Sequence, residues 1–246
     1  LLVCGLENSV HGHSLAMSVT LVAASVTLGF VFVRRELNQA EPVLPVDLLR
    51  VKKIALPCIG SLGAYVAMTL LTVTLPFRLQ QHFNFTPIAA GAVLVPIALV
   101  SIVVAPLSGL LSDRISAGLL GGIGMAFGCV SMICLALLPT APTHFDLVWR
   151  VGLCGFGFGM FFSPNARQIV GAAPRARAAA AGALFSTVRG AGQTLGATAV
   201  AALLALGIGM GPVPGFIAAG FALLAGISSV LTLVRPDQQH EFTRAA

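Results

Sequence analysis

Seven uninterrupted apolar stretches, at about 14–33, 54–77, 87–111, 118–139, 147–166, 180–208 and 213–234, take up most of this 246-residue chain. At 1.5 Å of rise per residue, each is long enough to cross the ~30 Å hydrocarbon layer of a bilayer as a helix. Strands that span membranes are ~10 residues long and alternate strictly, a pattern the sequence does not contain. Hydrophobic residues make up 57% of the chain and charged residues 9%, against about 25% charged in soluble domains. So few charges cannot coat a water-facing surface, and the chain reads as an all-α integral membrane protein. Disorder, collagen-like repeats and disulfide scaffolds do not fit this composition. The five cysteines lie mostly within apolar runs, show no metal-ligand spacing or redox pair, and read as small hydrophobes.

The direction of the spans follows from the basic residues, which concentrate in short cytoplasmic loops. Arg34, Arg35, Arg50, Lys52 and Lys53 flank the connection after the first span. Arg114 follows the third, Arg167, Arg175 and Arg177 the fifth, and Arg235 and Arg244 the seventh. Of the 14 Lys and Arg, this leaves only Arg78 on the opposite side, with Arg150 and Arg189 inside apolar runs. The four basic segments are placed in the cytoplasm, including the C-terminus. The net charge of +6 is therefore a topology signal and does not point to nucleic acid.

The division follows. Residues 1–33 hold the stump of one helix and one complete span, and 34–53 a cytoplasmic linker whose Pro42 and Pro45 oppose a continuous helix. Residues 54–234 form a six-helix bundle and 235–246 a cytoplasmic tail. The chain opens on Leu1-Leu2-Val3 and is expected to be a piece of a longer protein lacking its N-terminal part. The six bundle spans form two sets of three that start from opposite sides of the membrane, as in inverted-repeat transporters.

Polar residues inside the spans are the candidates for function. Ser186, Arg189 and Gln193, spaced three and four apart, share a face of the 180–208 helix. A charge at bilayer depth costs from ~2.5 to more than 10 kcal/mol, so it faces water or a partner. With the span centred near Gln193, Arg189 sits about 6 Å to the cytoplasmic side. Snorkelling toward the surface is the alternative to lining a pathway. Ser61, Tyr65, Thr69 and Thr72 form a second stripe, on the 54–77 span. It suits an amphiphilic substrate, or else hydroxyls bonded to their own helix and a packed Tyr. Asp113, at a span end, is expected to accept from backbone N–H groups at a neighbouring helix N-terminus in one conformational state, or simply to mark a loop. Glycines four apart, at 124 and 128, 155 and 159, and 192 and 196, are expected to let helices approach closely. Gly155-Phe156-Gly157-Phe158-Gly159 lies within an apolar run without a Rossmann unit and is not read as a dinucleotide site. Arg150, with Asp146 four residues before it and Trp149 beside it, reads as a structural anchor at the outer membrane boundary.

Several motifs carry a resemblance. Glu41-Pro42-Val43-Leu44-Pro45-Val46-Asp47-Leu48-Leu49-Arg50 precedes the bundle, and Leu75-Pro76-Phe77-Arg78-Leu79-Gln80 ends its first helix. Thr86-Pro87 through Ala90-Gly91, Pro96, Ala105-Pro106-Leu107 and Gly109 mark the next helix, which ends in Gly109-Leu110-Leu111-Ser112-Asp113-Arg114. Ser163-Pro164-Asn165-Ala166-Arg167 and Ala172-Ala173-Pro174-Arg175-Ala176-Arg177 follow. In order and spacing these resemble the C-terminal half of the major facilitator superfamily, in particular its fourteen-span drug:proton antiporters. After Arg114 the chain departs from the pattern, with Ile115-Ser116-Ala117 where the family has glycine and basic residues.

The resemblance implies a six-helix half with one preceding span and a gating role for Gly109, Asp113 and Arg114. It also implies proton-coupled export of small apolar or cationic compounds, with the missing N-terminal bundle as partner. The eight acidic residues avoid mid-depth in every complete span, so the coupling carboxylates are expected in that missing half. No cofactor, metal or catalytic residue is expected. A membrane-embedded enzyme would need clustered His, Asp or Glu at the water boundary. A structural or channel-like subunit would need neither the Asp-Arg signature nor the two-by-three plan.

Overall fold

Apolar runs in a bilayer must satisfy their backbone internally, and the computed structural model, which describes residues 46–233, is helical over most of the apolar runs that fall within them. Helix α1 runs Lys52–His82, α2 Pro87–Ala92, α3 Val95–Leu111, α4 Ala117–Ala136, α5 His144–Gly171, α6 Ala178–Ala205 and α7 Val213–Leu231. Short 3-10 turns, Val46–Arg50 and Arg175–Arg177, precede α1 and α6. The 14–33 span, the stump before it and the 235–246 tail lie outside the described residues.

The span at 87–111 is two helices, α2 and α3, meeting at Val93 and Leu94. Pro96 has no N–H to give the carbonyl four residues back, so the first turn of α3 cannot continue α2. Thr86 caps α2 by accepting from the Ala89 N–H. At α5 a capping box forms, with Thr143 Oγ1 accepting from the Asp146 N–H at 3.1 Å and Asp146 Oδ2 from the Thr143 N–H at 3.2 Å. Helix α5 runs past the expected end of its span at 166, to Gly171, so Arg167 lies within the helix.

Among the described residues, five helical stretches are long and apolar enough to cross a membrane: α1, Pro87–Leu111, α4, α5 and α7. Helix α6 has the length but, with its Ser, Thr, Gly, Arg and Gln, falls short in apolar character. Helix α1 is the most enclosed, packing against α5, α6 and α7, while α4 packs on α5 and α7 and α3 on α5.

The glycine pairs lie where those helices cross, as their spacing suggests. A Cβ on Gly124 would sit 2.7 Å from the Gly157 carbonyl, and one on Gly157 2.6 Å from that of Gly124. On Gly155 it would meet the Ile97 carbonyl at 2.6 Å; on Gly192 and Gly196 it would meet the Cβ atoms of Tyr65 and Thr69 at 2.8 and 2.7 Å. Serines complete these contacts by donating to glycine carbonyls across the crossings: Ser101 to Gly155 and Ser108 to Gly159, both at 3.0 Å, and Ser229 to Gly118 at 3.1 Å. Such bonds replace the missing water partner in an apolar setting.

Candidate substrate pathway and the polar lock at its end

Helices α1, α5 and α6 bring one cluster together. The Tyr65 ring of α1 stacks on Phe162 of α5 at 4.4 Å and 16°, Phe162 stacks on Phe158 at 5.3 Å and 12°, and Phe185 of α6 tilts toward Tyr65 at 6.3 Å. Offset stacking of this kind adds about 0.5–1.5 kcal/mol per pair and fixes the rings. Arg189 stands three residues before Gly192, the point at which α6 closes on Tyr65. Ser186, Arg189 and Gln193 are all exposed, on a side of α6 that flanks the glycine edge packed on α1. The two predicted stripes thus meet at Tyr65 and Arg189. The sequence reading missed Phe162 and Phe185; the signal available was the spacing of four between Phe158 and Phe162.

The rest of the α1 stripe behaves differently. Thr69 is half-buried beneath Gly196. Thr72 donates to the Met68 carbonyl of its own helix at 2.9 Å, the reading in which the hydroxyl serves only the backbone. Ser61 is fully buried and accepts from Asn165 Nδ2 at 2.6 Å, and the same amide donates to the Pro57 carbonyl at 3.1 Å. Ser61 therefore belongs to a polar tie between α1 and α5 and does not face the open side of the bundle. Desolvation explains the tie: a buried amide left unpaired costs about 1–3 kcal/mol.

At the end of α3, Gly109, Ser112 and Asp113 share one partner, Arg167 of α5. Its Nη1 donates to the Gly109 carbonyl and to Ser112 Oγ at 3.0 Å, and its Nη2 donates to Asp113 Oδ1 at 2.9 Å. In this structure the partner of Asp113 is a guanidinium and not a helix N-terminus, because α5 extends far enough to bring Arg167 beside it. The Asp113–Arg167 pair is more than half exposed at both side chains, where such pairs contribute about 0–1 kcal/mol. That strength suits a contact made and broken repeatedly. Arg114 is exposed beside it.

At the opposite end Arg150 lies 3.9 Å from Asp146 and 5.1 Å from the centre of the Trp149 ring, the arrangement expected of an anchor. Among the described residues no group of His, Cys, Asp and Glu could hold a metal ion.

The sequence has known counterparts. The family model for the Major Facilitator Superfamily matches residues 13–197 and 57–246. The chain belongs to this superfamily. Such a facilitator chain is similar to the "Uncharacterized transporter YebQ" of Escherichia coli, with 38% identity over 83% of this chain and 45% of that protein. It is similar to the "Riboflavin transporter RibZ" of Clostridioides difficile, with 26% identity over 66% of this chain and 36% of that one. It is also similar to the "Methyl viologen resistance protein SmvA" of Salmonella typhimurium, with 27% identity over 80% and 40%. The facilitator chain thus spans less than half the length of these relatives. It is a multi-pass membrane protein of a transporter family.

Proposed function

We propose that this chain is the C-terminal portion of a proton-coupled exporter of small apolar or cationic compounds in the cytoplasmic (plasma or inner) membrane, with its C-terminus in the cytoplasm. The observation that carries the reading is the face of α6. Ser186, Arg189 and Gln193 are exposed on it, beside the Tyr65–Phe162–Phe185 cluster, in a bundle whose other outward surfaces are apolar. A face of that kind is built to border water or a partner and not lipid. Aromatic walls beside a few polar groups are the usual lining of a site for amphiphilic ligands.

The described acidic residues, Asp47, Asp113 and Asp146, all sit at or before helix ends. The proton-carrying carboxylate and any counter-charge for a cation are therefore assigned to the preceding half of the whole protein. One relative is named for riboflavin and another for methyl viologen resistance, and both names fit export or uptake of planar ring compounds.

The test is dye efflux from cells expressing the complete gene, with and without a protonophore. Export that collapses with the protonophore supports the reading. Efflux at the vector-only rate in both conditions overturns it. In the same cells Arg189→Ala and Gln193→Ala should lower efflux at least tenfold at normal abundance; unchanged transport of every substrate would remove these residues from the pathway.

A further inference from the structure

The turn Val46–Arg50 does not hang free before α1. Its Asp47 carboxylate is gripped by both terminal nitrogens of Arg177, Nη1 on Oδ2 and Nη2 on Oδ1 at 3.0 Å, across 130 residues of chain. Leu48, only 3% exposed, sinks into a small apolar cluster separate from the main core. That cluster is formed with Ile54 and Cys58 of α1, Ile169 of α5, and Ala181 and Leu184 of α6. Fork-to-fork pairs of this kind fix orientation as well as distance.

Arg177 is the residue immediately before α6, the helix that carries the exposed Ser186, Arg189 and Gln193. Beyond this point α6 is held mainly by α1, through the close approaches at Gly192 and Gly196. Ser186 and Arg189 lie between the two fixings, roughly 13–18 Å along the helix from Arg177. Without the first fixing, the near end of α6 keeps only its apolar contacts through Ala181, Leu184 and Phe185, and can shift about its two glycines.

We infer that Val46–Val51 is a strap that fixes the near end of α6, with Asp47 and Arg177 as positioning residues for the pathway. The strap sets where Arg189 and Gln193 stand when substrate passes, without touching the substrate. The inference rests on the transport reading above.

The test uses the complete protein with every cysteine except Cys58 replaced by serine, since Cys58 lies under the strap at 2% exposure. Two readouts are taken on Asp47→Asn, Arg177→Gln and the exchanged pair D47R/R177D: the rate at which a polar maleimide labels Cys58, and dye turnover set against dye Kd. The single variants should label at least tenfold faster and lose at least fivefold in turnover, with Kd within twofold. The exchanged pair should recover part of both losses. Arg177→Lys, which keeps the charge but not the fork, should fall between. Unchanged labelling in both single variants overturns the strap, whether or not dye is moved. Faster labelling with unchanged turnover, or a change in Kd alone, overturns the positioning role. Absence of protonophore-sensitive efflux in the parent overturns the transport reading instead, and the labelling arm still decides the strap.

Discussion

The span formed by α2 and α3 and the helix α6 both turn much of their surface outward, yet the two surfaces are chemically opposite. On α3 the outward residues are Leu99, Ile102, Val103, Leu107 and Leu110, with Ile102 and Leu110 exposed by 69% and 68%. On α6 they include Ser186, Arg189, Gln193 and Thr194. Both helices keep the inward edge that packing demands: Gly155 of α5 closes on Ile97, and Gly192 and Gly196 close on α1. The inward edges are therefore alike and the outward edges are not. Exposure in a membrane bundle is read correctly only once the solvent on each side has been named, and the proposed function names hydrocarbon for α3 and a wet passage for α6.

An arginine placed on each surface breaks this comparison most severely. Val103→Arg should cost about 2.5–3.5 kcal/mol or more if α3 faces lipid, seen as a severe loss of membrane-inserted full-length protein. Thr194→Arg on α6 should insert normally; equal losses at both positions would erase the distinction.

The inward edges give the next largest effect. Gly192→Leu and Gly196→Val drive a side chain into Tyr65 and Thr69, and overpacking of this kind costs about 1–3 kcal/mol. Gly190→Ala, where a Cβ meets nothing within 4 Å, should be neutral or stabilising by up to ~1 kcal/mol. Thermal unfolding in detergent, followed by reaction of the buried thiols, measures both.

Smaller still is the loss of one bond. Ser101→Ala removes the donor to the Gly155 carbonyl and should cost about 0.5–1.5 kcal/mol. Thr194→Ala removes only a bond to its own helix, at the Gly190 carbonyl, and should stay within about 0.5 kcal/mol.

The smallest effect concerns pH at the strap that holds α6. The Arg177 guanidinium, through its bonds to the carboxylate, holds Asp47 below its ordinary value of 3.8 against a weaker opposing push from burial. A carboxylate depressed on folding contributes stability above its unfolded value and loses it as pH falls through the folded one. The rate of Cys58 labelling, divided at each pH by that of a free thiol in the same buffer, should therefore stay constant between about pH 8 and 5, and rise only below the usual carboxylate range. A rise already present near neutrality would mean that the pair is not closed in solution.

The spans at 54–77, 87–111, 118–139, 147–166 and 213–234 were legible in the sequence because an apolar run long enough for a bilayer is a local property, readable residue by residue. So were the glycine crossings, where a spacing of four puts two small residues on one face. The break at Val93 and Leu94 was not foreseen, although Pro96 signals it, because the run stays apolar through the break. Contacts across the fold were harder. Ser61 resembles its stripe-mates Tyr65 and Thr69 in spacing, and only the Asn165 amide, 104 residues away, takes it out of the pathway. Arg167 was visible as a motif residue, but its joining of Gly109, Ser112 and Asp113 depends on α5 outlasting its apolar core. A resemblance supplies which residues recur, and the fold supplies what each of them holds.

One end of α4 shows what kind of movement the bundle allows. The last carbonyls of that helix, on Leu135 and Ala136, have no glycine or asparagine beside them; they accept from Nη1 of Arg78, on α1, at 2.9 and 3.2 Å. The cap of one helix is thus owned by another, and it tolerates tilting about that point far better than travel along it. A lengthwise slip by a single residue, about 1.5 Å, would draw both carbonyls away from their shared donor. Helices α1 and α4 are bound to turn together, like leaves on a common pin.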